Sequence, residues 1–474
     1  LLDEDGYLVL SEYKGDRYVK PAVYERMKEQ YIAQHKDSRK DRESLEREAE
    51  QYLAQQEPAI LPIHSDFRLF AAMNPEEYEG RKSISPALRN KFSVKWIDEL
   101  SEEEIKLILE KEFNIRGRNA QYLIDFYKGL RAISKKGSKH ELGRAEGVSY
   151  YFTVRDMKKV ALRIKQRQER RVGINFREAA IEEVYEVFGS RLRTEEDRDL
   201  FNILVENTLG ESKRRDKDVE IKSDSEVVHI GEAVLRKGNF NFNSETKAAK
   251  LALVPSTKRM LEILTKAIEM NERLLLVGPT GAGKTAFLKY LAYVTNHSFV
   301  RINLDGQTDT SELIGKYGPK EGGAHLELEW KPGTLQRAME EGSWLLLDEF
   351  NLAYPDILER INSLLDEDGY IVLSEHDGSK IKPAPGFRLF CAMNPERYKG
   401  RNRISLAMRN KFTEVWVEPQ HSNSEFNEIA EFYLTDTDIY SFNPLDKESA
   451  TQIAEEMIRV YKKMQAMIQT GEIG

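Results

Sequence analysis

The sequence predicts an α/β fold in three layers, a parallel sheet between helices, and three runs of residues predict it. The first is Gly278-Pro279-Thr280-Gly281-Ala282-Gly283-Lys284-Thr285, which reads G-x-x-x-x-G-K-T. Apolar Leu274-Leu275-Leu276-Val277 precedes it and a helix-like run, Ala286 to Leu291, follows. That is the strand–loop–helix context of a phosphate-binding loop. The second run, Trp344-Leu345-Leu346-Leu347-Asp348-Glu349, is an apolar strand ending in two carboxylates. The third, Phe387 to Pro395, is a buried-strand pattern ending in Asn394-Pro395.

Each run carries chemistry. Glycines let backbone N–H groups close around phosphates with no Cβ in the way, and the following helix adds its positive dipole end. Lys284 would face the β- and γ-phosphates, and the Thr285 hydroxyl would ligate Mg2+. Asp348 would hold the same ion, and Glu349 would orient and polarise the attacking water. Asn394, on the strand beside the acidic one, would position that water. Separately these are a glycine-rich turn, a solvated acidic pair and an ordinary Asn-Pro turn. Together they form one catalytic set.

An internal repeat sets the architecture. Leu1 to Tyr7 recurs as Leu364 to Tyr370, an offset of 363 (364 − 1). Phe67 to Pro75 matches Phe387 to Pro395, and Arg89-Asn90-Lys91-Phe92 matches Arg409-Asn410-Lys411-Phe412, both at an offset of 320 (387 − 67). The first copy thus carries 43 extra residues (363 − 320). Within them Tyr24, Met27 and Tyr31, then Leu45, Ala49, Tyr52 and Leu53, keep helical spacing around a charged run. Two amphipathic helices are expected at about 23–57, either a solvated insertion or a docking arm. A short turn in their place should cost little, because closure entropy grows slowly with loop length.

The expected order is the back part of a first core at 1–98, its helical lid at 99–210 and a polar linker with short β-forming pieces at 211–247. A second core at 248–418 and the start of a second lid at 419–474 follow. Relative to the repeat, residue 1 falls past the loop and the acidic strand, there is no initiator Met, and residue 474 falls early in a lid. A segment of tandem modules, the first truncated at its N-terminus, is the expectation.

Charged residues at 32% and apolar ones at 40% describe a globular chain. A net charge of −8 argues against nucleic acid wrapped over the whole surface. One cysteine, Cys391, excludes a disulfide framework and fits a reducing compartment; its apolar strand makes it a core residue. No apolar run is long enough to span a membrane.

The string Leu347-Asp348-Glu349-Phe350-Asn351-Leu352-Ala353, then Asn394-Pro395 and Ala407 to Phe412, resembles the midasin and dynein-related branch of AAA+ ATPases, with MoxR-type chaperones as cousins. The resemblance covers the second core nearly end to end and the first from its start. It implies ATP and Mg2+ as cofactors and an AAA+ core with a helical lid. It also implies other modules of the same chain as partners in a ring, and a protein or ribonucleoprotein substrate, ribosome assembly in the midasin case. An intracellular, cytoplasmic place is implied, nuclear or nucleolar for a eukaryotic midasin. Glu312 to Gly333 resembles the branch's inserted hairpin, and Leu373 to Phe387 its second one, which in the first copy would contain the helical insertion.

The resemblance also assigns site residues outside the loop. Phe152-Thr153-Val154-Arg155-Asp156 resembles the lid motif whose Arg senses nucleotide, so Arg155 would serve the first module. Asn74, Arg89 and Lys91 are the first module's equivalents of Asn394, Arg409 and Lys411. Relatives often carry Arg-Asn-Arg-Phe, whose second Arg reaches a neighbour's site. Here Lys91 and Lys411 stand there, and Lys lacks the planar fork, so Arg409 or Lys411 would be the finger. Two other readings remain: a module that binds ATP without turnover, and a nucleic-acid translocase, which would want paired basic residues at a hairpin tip where Lys320 stands beside Glu321.

Overall fold

The computed structural model describes residues 7–9, 17–35, 41–56, 59–64, 66–73, 85–137, 141–171, 173–211, 218–242, 249–320, 328–366, 369–396, 401–417, 422–435 and 445–469. The chain divides into two compact units, Leu1–Tyr78 and Glu79–Gly474.

In the first unit β1 (Tyr7–Val9) runs antiparallel to β2 (Arg17–Val19), with Leu8 opposite Tyr18. Two helices follow, α1 (Pro21–Gln34) and α2 (Arg42–Ala54), and then β3 (Ile60–Pro62), parallel to β2. Pro21 starts α1, where its missing N–H is no loss. Asp41 caps α2 by accepting the Ser44 N–H at 2.9 Å. The helices meet each other through Ile32, Leu45 and Ala49, and they meet the sheet through Tyr24 and Leu53 on Val19. They follow the second strand of the β1–β2 hairpin and do not join its two strands, as the family resemblance implied they would.

Phe67 to Met73, expected as a buried strand, forms none, and Phe70 is 89% exposed. Its repeat at 387–393 pairs with a strand on each side, whereas no strand pairs with 67–73 among the described residues. A strand without neighbours has no partners for its backbone groups. Asn74 lies outside the described residues.

The second unit opens with α3 (Pro86–Arg89). A helical bundle follows: α4 (Glu102–Phe113), α5 (Arg118–Ser134), α6 (Val154–Arg170), α7 (Phe176–Val187) and α8 (Glu195–Thr208). Ser101 and Glu104 form a reciprocal capping box on α4, and Asn175 and Thr194 cap α7 and α8. Phe126, Val160, Ile164, Phe188 and Phe201 fill the bundle core. The stretch expected to be a linker instead contains a folded antiparallel meander, β4 (Ile221–Ser223), β5 (Val227–Ile230) and β6 (Ala233–Arg236). Its Val228, Ile230 and Leu235 pack with Leu261 and Leu264 of α9 (Pro255–Glu269).

The core then runs β7 (Leu274–Val277), α10 (Lys284–Val294), β8 (Phe299–Asn303), α11 (Thr310–Leu313), β9 (Gly315–Pro319), β10 (Leu328–Pro332), α12 (Thr334–Glu341) and β11 (Trp344–Asp348). It continues with α13 (Pro355–Asn362), β12 (Ile371–Val372), β13 (Lys380–Ile381), β14 (Arg388–Met393), α14 (Leu406–Arg409) and β15 (Thr413–Trp416). Five strands form one parallel sheet in the order β15-β7-β14-β11-β8. Its central strands are continuous apolar runs because helices cover both faces. Leu275, Leu345, Leu347 and Cys391 face one layer, and Leu274, Leu346, Phe390 and Ala392 face the other. β9–β10 and β12–β13 are antiparallel hairpins, joined by a Tyr317 hydroxyl–His376 Nδ1 hydrogen bond of 2.6 Å and by Trp330 stacked on His376. The tail holds α15 (Asn423–Thr435) and α16 (Lys447–Gln469), and Glu425 of α15 accepts the Ser256 N–H at 2.7 Å.

Candidate functional site

Chain order reverses at β7, which has β15 on one side and β14 on the other. Crevices in open α/β sheets form beyond the carboxyl ends of strands at such a point. The loop from Gly278 to Gly283 lies there, between β7 and α10. A Cβ at Gly278 would meet the Val417 carbonyl oxygen at 2.0 Å, and Gly281 and Gly283 have φ of 83° and 85°. The chain can take this path only with glycine at these positions.

Lys284 opens α10 and turns its ammonium back into the loop. Nζ donates to the carbonyls of Gly278 (2.8 Å) and Pro279 (2.9 Å) and to Asn394 Oδ1 (2.8 Å). Burial holds its pKa below the usual lysine value, and the charges of Asp348 and Glu349 counter only part of that. Thr285 Oγ1 donates to Asp348 Oδ2 at 3.0 Å. Asp348, at the end of β11, is buried and also accepts the Glu349 N–H on Oδ1 at 3.0 Å.

Glu349 has φ of 57°, in the left-handed region a glutamate seldom adopts. The turn swings its carboxylate off the strand toward β14, where Asn394 Nδ2 lies 3.2 Å from Oε1 and 3.4 Å from Oε2. Asn394 Nδ2 is also 3.3 Å from Thr280 Oγ1, so one buried amide touches the lysine, the loop and the glutamate. Asn351 Nδ2 braces it from behind by donating to the Asn394 carbonyl at 2.9 Å. Thr285 and Asp348 offer two hard oxygens side by side, which suits Mg2+, an ion that takes few protein ligands and completes its shell with water and phosphate oxygens. The pair fits the ion.

Two arginines not singled out in the sequence reach this set. Arg301 of β8 donates to Asp348 Oδ2 from Nε (2.9 Å) and Nη2 (2.7 Å). Arg401 pairs with Glu349 Oε2. A signal existed for the second: Gly400-Arg401 repeats Gly80-Arg81 at the offset of 320.

The remaining candidates lie apart from the loop. Arg409 ends α14 and is held by Glu414, beside Tyr150, Phe152 and Arg191. Lys411 donates to Asn362 Oδ1 at 2.8 Å and pairs with Asp366 at 2.5 Å. Arg155 is exposed in the first turn of α6, and Arg89 and Lys91 are exposed at and just beyond the end of α3.

Residues 273–412 match the AAA domain of the dynein-related subfamily, and residues 104–212 match the midasin AAA lid domain. The chain belongs to the midasin and dynein-related branch of AAA+ ATPases. It is similar to midasin of Giardia intestinalis, 26% identical over 458 residues, which covers 86% of this chain and 9% of that protein. It is similar to midasin of Dictyostelium discoideum at 26% over 381 residues, 75% of this chain and 6% of that protein. An uncharacterized protein of Staphylococcus epidermidis is 33% identical over 164 residues, 34% of this chain and 62% of its own length. The chain therefore spans under a tenth of the two midasins.

The match to the midasin lid covers α4 to α8, and this bundle is fastened to the AAA+ core that follows it. Arg163 forks onto Glu272 at 2.8 and 2.7 Å, and Lys159 Nζ donates to the Phe412 carbonyl at 2.8 Å. The Arg193 guanidinium lies over Trp416, 4.7 Å from the ring centre. Among the described residues, no helix is long and apolar enough to cross a membrane.

Proposed function

We propose that this AAA+ chain binds ATP with Mg2+ at residues 278–285 and hydrolyses it, as one module in a ring of such modules. The observation that carries the reading is Asn394, hydrogen-bonded at once to Lys284 of the loop and Glu349 of the acidic strand. The lysine and the loop N–H groups bind the phosphates. Thr285 and Asp348 hold the ion, which when bound offsets charge on the β- and γ-phosphates. Glu349 takes the proton of the attacking water, and Asn394 keeps water and carboxylate aligned. By resemblance to midasin, the work is done on a protein or ribonucleoprotein assembly of preribosomal type. Lys411 or Arg409 serves the nucleotide of the module that owns the preceding lid, and Asn74, Arg89, Lys91 and Arg155 are that module's own equivalents.

The experiment measures binding and hydrolysis separately. Lys284→Ala should lose ATP affinity, and Glu349→Gln should keep affinity while hydrolysis falls by about 10²-fold or more. Equal affinity in wild type and Lys284→Ala would remove the site. Full turnover in Glu349→Gln would remove the role of the glutamate.

A further inference from the structure

We propose that Asn351 is a positioning residue: its side chain fixes the peptide plane that follows Asn394, and so sets where the Asn394 amide meets Lys284 and Glu349. The inference rests on the ATPase reading and names a further residue for that same site. Asn394 stands one residue past β14, where the sheet no longer supplies a donor for its carbonyl. The Met393 carbonyl, one residue earlier, accepts the Gly278 N–H on the β7 side at 3.3 Å. Successive carbonyls along a strand point to opposite neighbours, so the Asn394 carbonyl points to the β11 side. There the ladder has ended, because β11 stops at Asp348 and Glu349 turns away with φ of 57°. Asn394 is buried, and a buried carbonyl without a donor is costly. Asn351 Nδ2 donates to it at 2.9 Å.

This bond has leverage on the Asn394 side chain. Pro395 confines Asn394 to extended backbone. Gly278 holds the peptide plane before its Cα and Asn351 holds the plane after it, so the direction of the Cα–Cβ bond is set. From that bond the amide reaches Lys284 Nζ at 2.8 Å, Glu349 Oε1 at 3.2 Å and Thr280 Oγ1 at 3.3 Å. A positioning residue must itself be fixed. Asn351 is fully buried in the 3-10 turn Phe350–Leu352, where the Leu352 N–H donates to the Glu349 carbonyl at 2.8 Å. Its own carbonyl accepts the Asn402 N–H at 2.9 Å, and the neighbouring Phe350 ring meets Phe412 edge-on, 5.7 Å between centres. Its Oδ1 is buried with no hydrogen-bond partner, so the bond from Nδ2 is the side chain's one polar contact among the described residues. Only a donor can face the Asn394 carbonyl; an aspartate there would set two acceptors against each other.

The test compares the full chain with N351D and N351L, each with and without N394A. Aspartate removes the donor at constant shape, and leucine removes it without placing a carboxylate in the core. The single-turnover rate of hydrolysis should fall about tenfold or more in each, while the Kd of ATP stays within about threefold. In the N394A background neither substitution should lower the rate by more than about twofold further, because Asn351 acts only through Asn394. Rates within about twofold of wild type in both variants would overturn the inference. So would an equal fall in the N394A background, which would mean a general loosening of the core. A second arm uses no nucleotide: urea unfolding of N351L, K284M and the double variant. Asn351 and Lys284 share no polar contact among the described residues, so coupling between them must pass through Asn394. Coupling of about fivefold or more in the unfolding equilibrium supports the inference, and additive effects overturn it. If even the wild type binds or hydrolyses no ATP, the ATPase reading fails by itself, and the second arm alone decides the positioning.

Discussion

Arg409 and Glu414 are locked in a fork: Nη2 lies 2.6 and 2.7 Å from the two carboxylate oxygens and Nε lies 3.1 Å from one of them. Burial alone would push the Glu414 carboxyl up, yet the Arg409 charge brings it below the usual carboxylate value. Removing one partner leaves a desolvated charge. Arg409→Ala should therefore lose about 2–4 kcal/mol in urea unfolding. Lys411→Ala should lose at most about 1 kcal/mol, because its partner Asp366 is exposed. The same contrast bears on the finger. Lys411 can leave its partners at little cost, while Arg409 cannot. Equal stability of the two variants would put Arg409 back among the mobile candidates.

The three motifs of the site were legible because each is a continuous run whose meaning depends on local context. Leu274 to Thr285 is strand, loop and helix in order, and the sheet brings its end beside those of β11 and β14. The arginine partners were not legible. Arg301 and Asp348 are joined by pairing of adjacent strands, and Arg401 meets Glu349 across 52 residues, from a polar run that reads as solvated. The repeat misled in one place. Phe67 to Met73 has the composition of β14, but composition makes a central strand only when neighbours supply its hydrogen bonds. The meander at 221–236 was half visible, since Val227, Val228 and Ile230 alternate too briefly to separate a packed sheet from a linker.

The helical insertion should be divisible. Its far half is self-contained, with Ile32, Leu45 and Ala49 packing helix on helix. Its near half supports the strands, since Tyr24 and Leu53 cover Val19, which is fully buried. Replacing residues 30–48 with a short Gly-Ser turn should leave the thermal midpoint of the first unit within about 3 °C, because loop closure is a weak function of length. Replacing 23–57 in full should lower it by much more, since Leu53 alone is a buried leucine worth about 2–4 kcal/mol. Equal midpoints for the two deletions would show that the near half is as dispensable as the sequence suggested.

Arg163 should be the most costly single residue in the joint between lid and core. Its guanidinium is fully buried, forked onto Glu272 and 3.2 Å from Glu186. Arg163→Met should cost about 3–5 kcal/mol, since it strands buried carboxylates. Added salt should not restore the loss, because a buried pair is poorly screened. Arg163→Met with Glu272→Gln should recover a large part of it. A double variant no better than the single one would show that packing, not charge, is what Arg163 provides.

His297 should give the core a stability that fades in mild acid. The ring stacks on Trp344 at 4.7 Å, and Nδ1 lies 2.9 Å from Thr295 Oγ1. Burial, and then the nearby Arg388 charge, pushes its pKa down to about 4 from 6.5. Between these values the unfolded chain binds a proton on this ring and the folded chain does not, so stability rises with pH across the window. The contribution is complete above about pH 6.5 and is lost as pH falls toward about 4. His297→Phe keeps an aromatic ring on Trp344 and removes the titration. Urea unfolding of both proteins from pH 7 to pH 4 should show the wild type losing more stability than the variant, with the gap opening below about pH 6.5. Parallel curves over that range would mean that His297 protonates in the folded core as readily as in the unfolded chain.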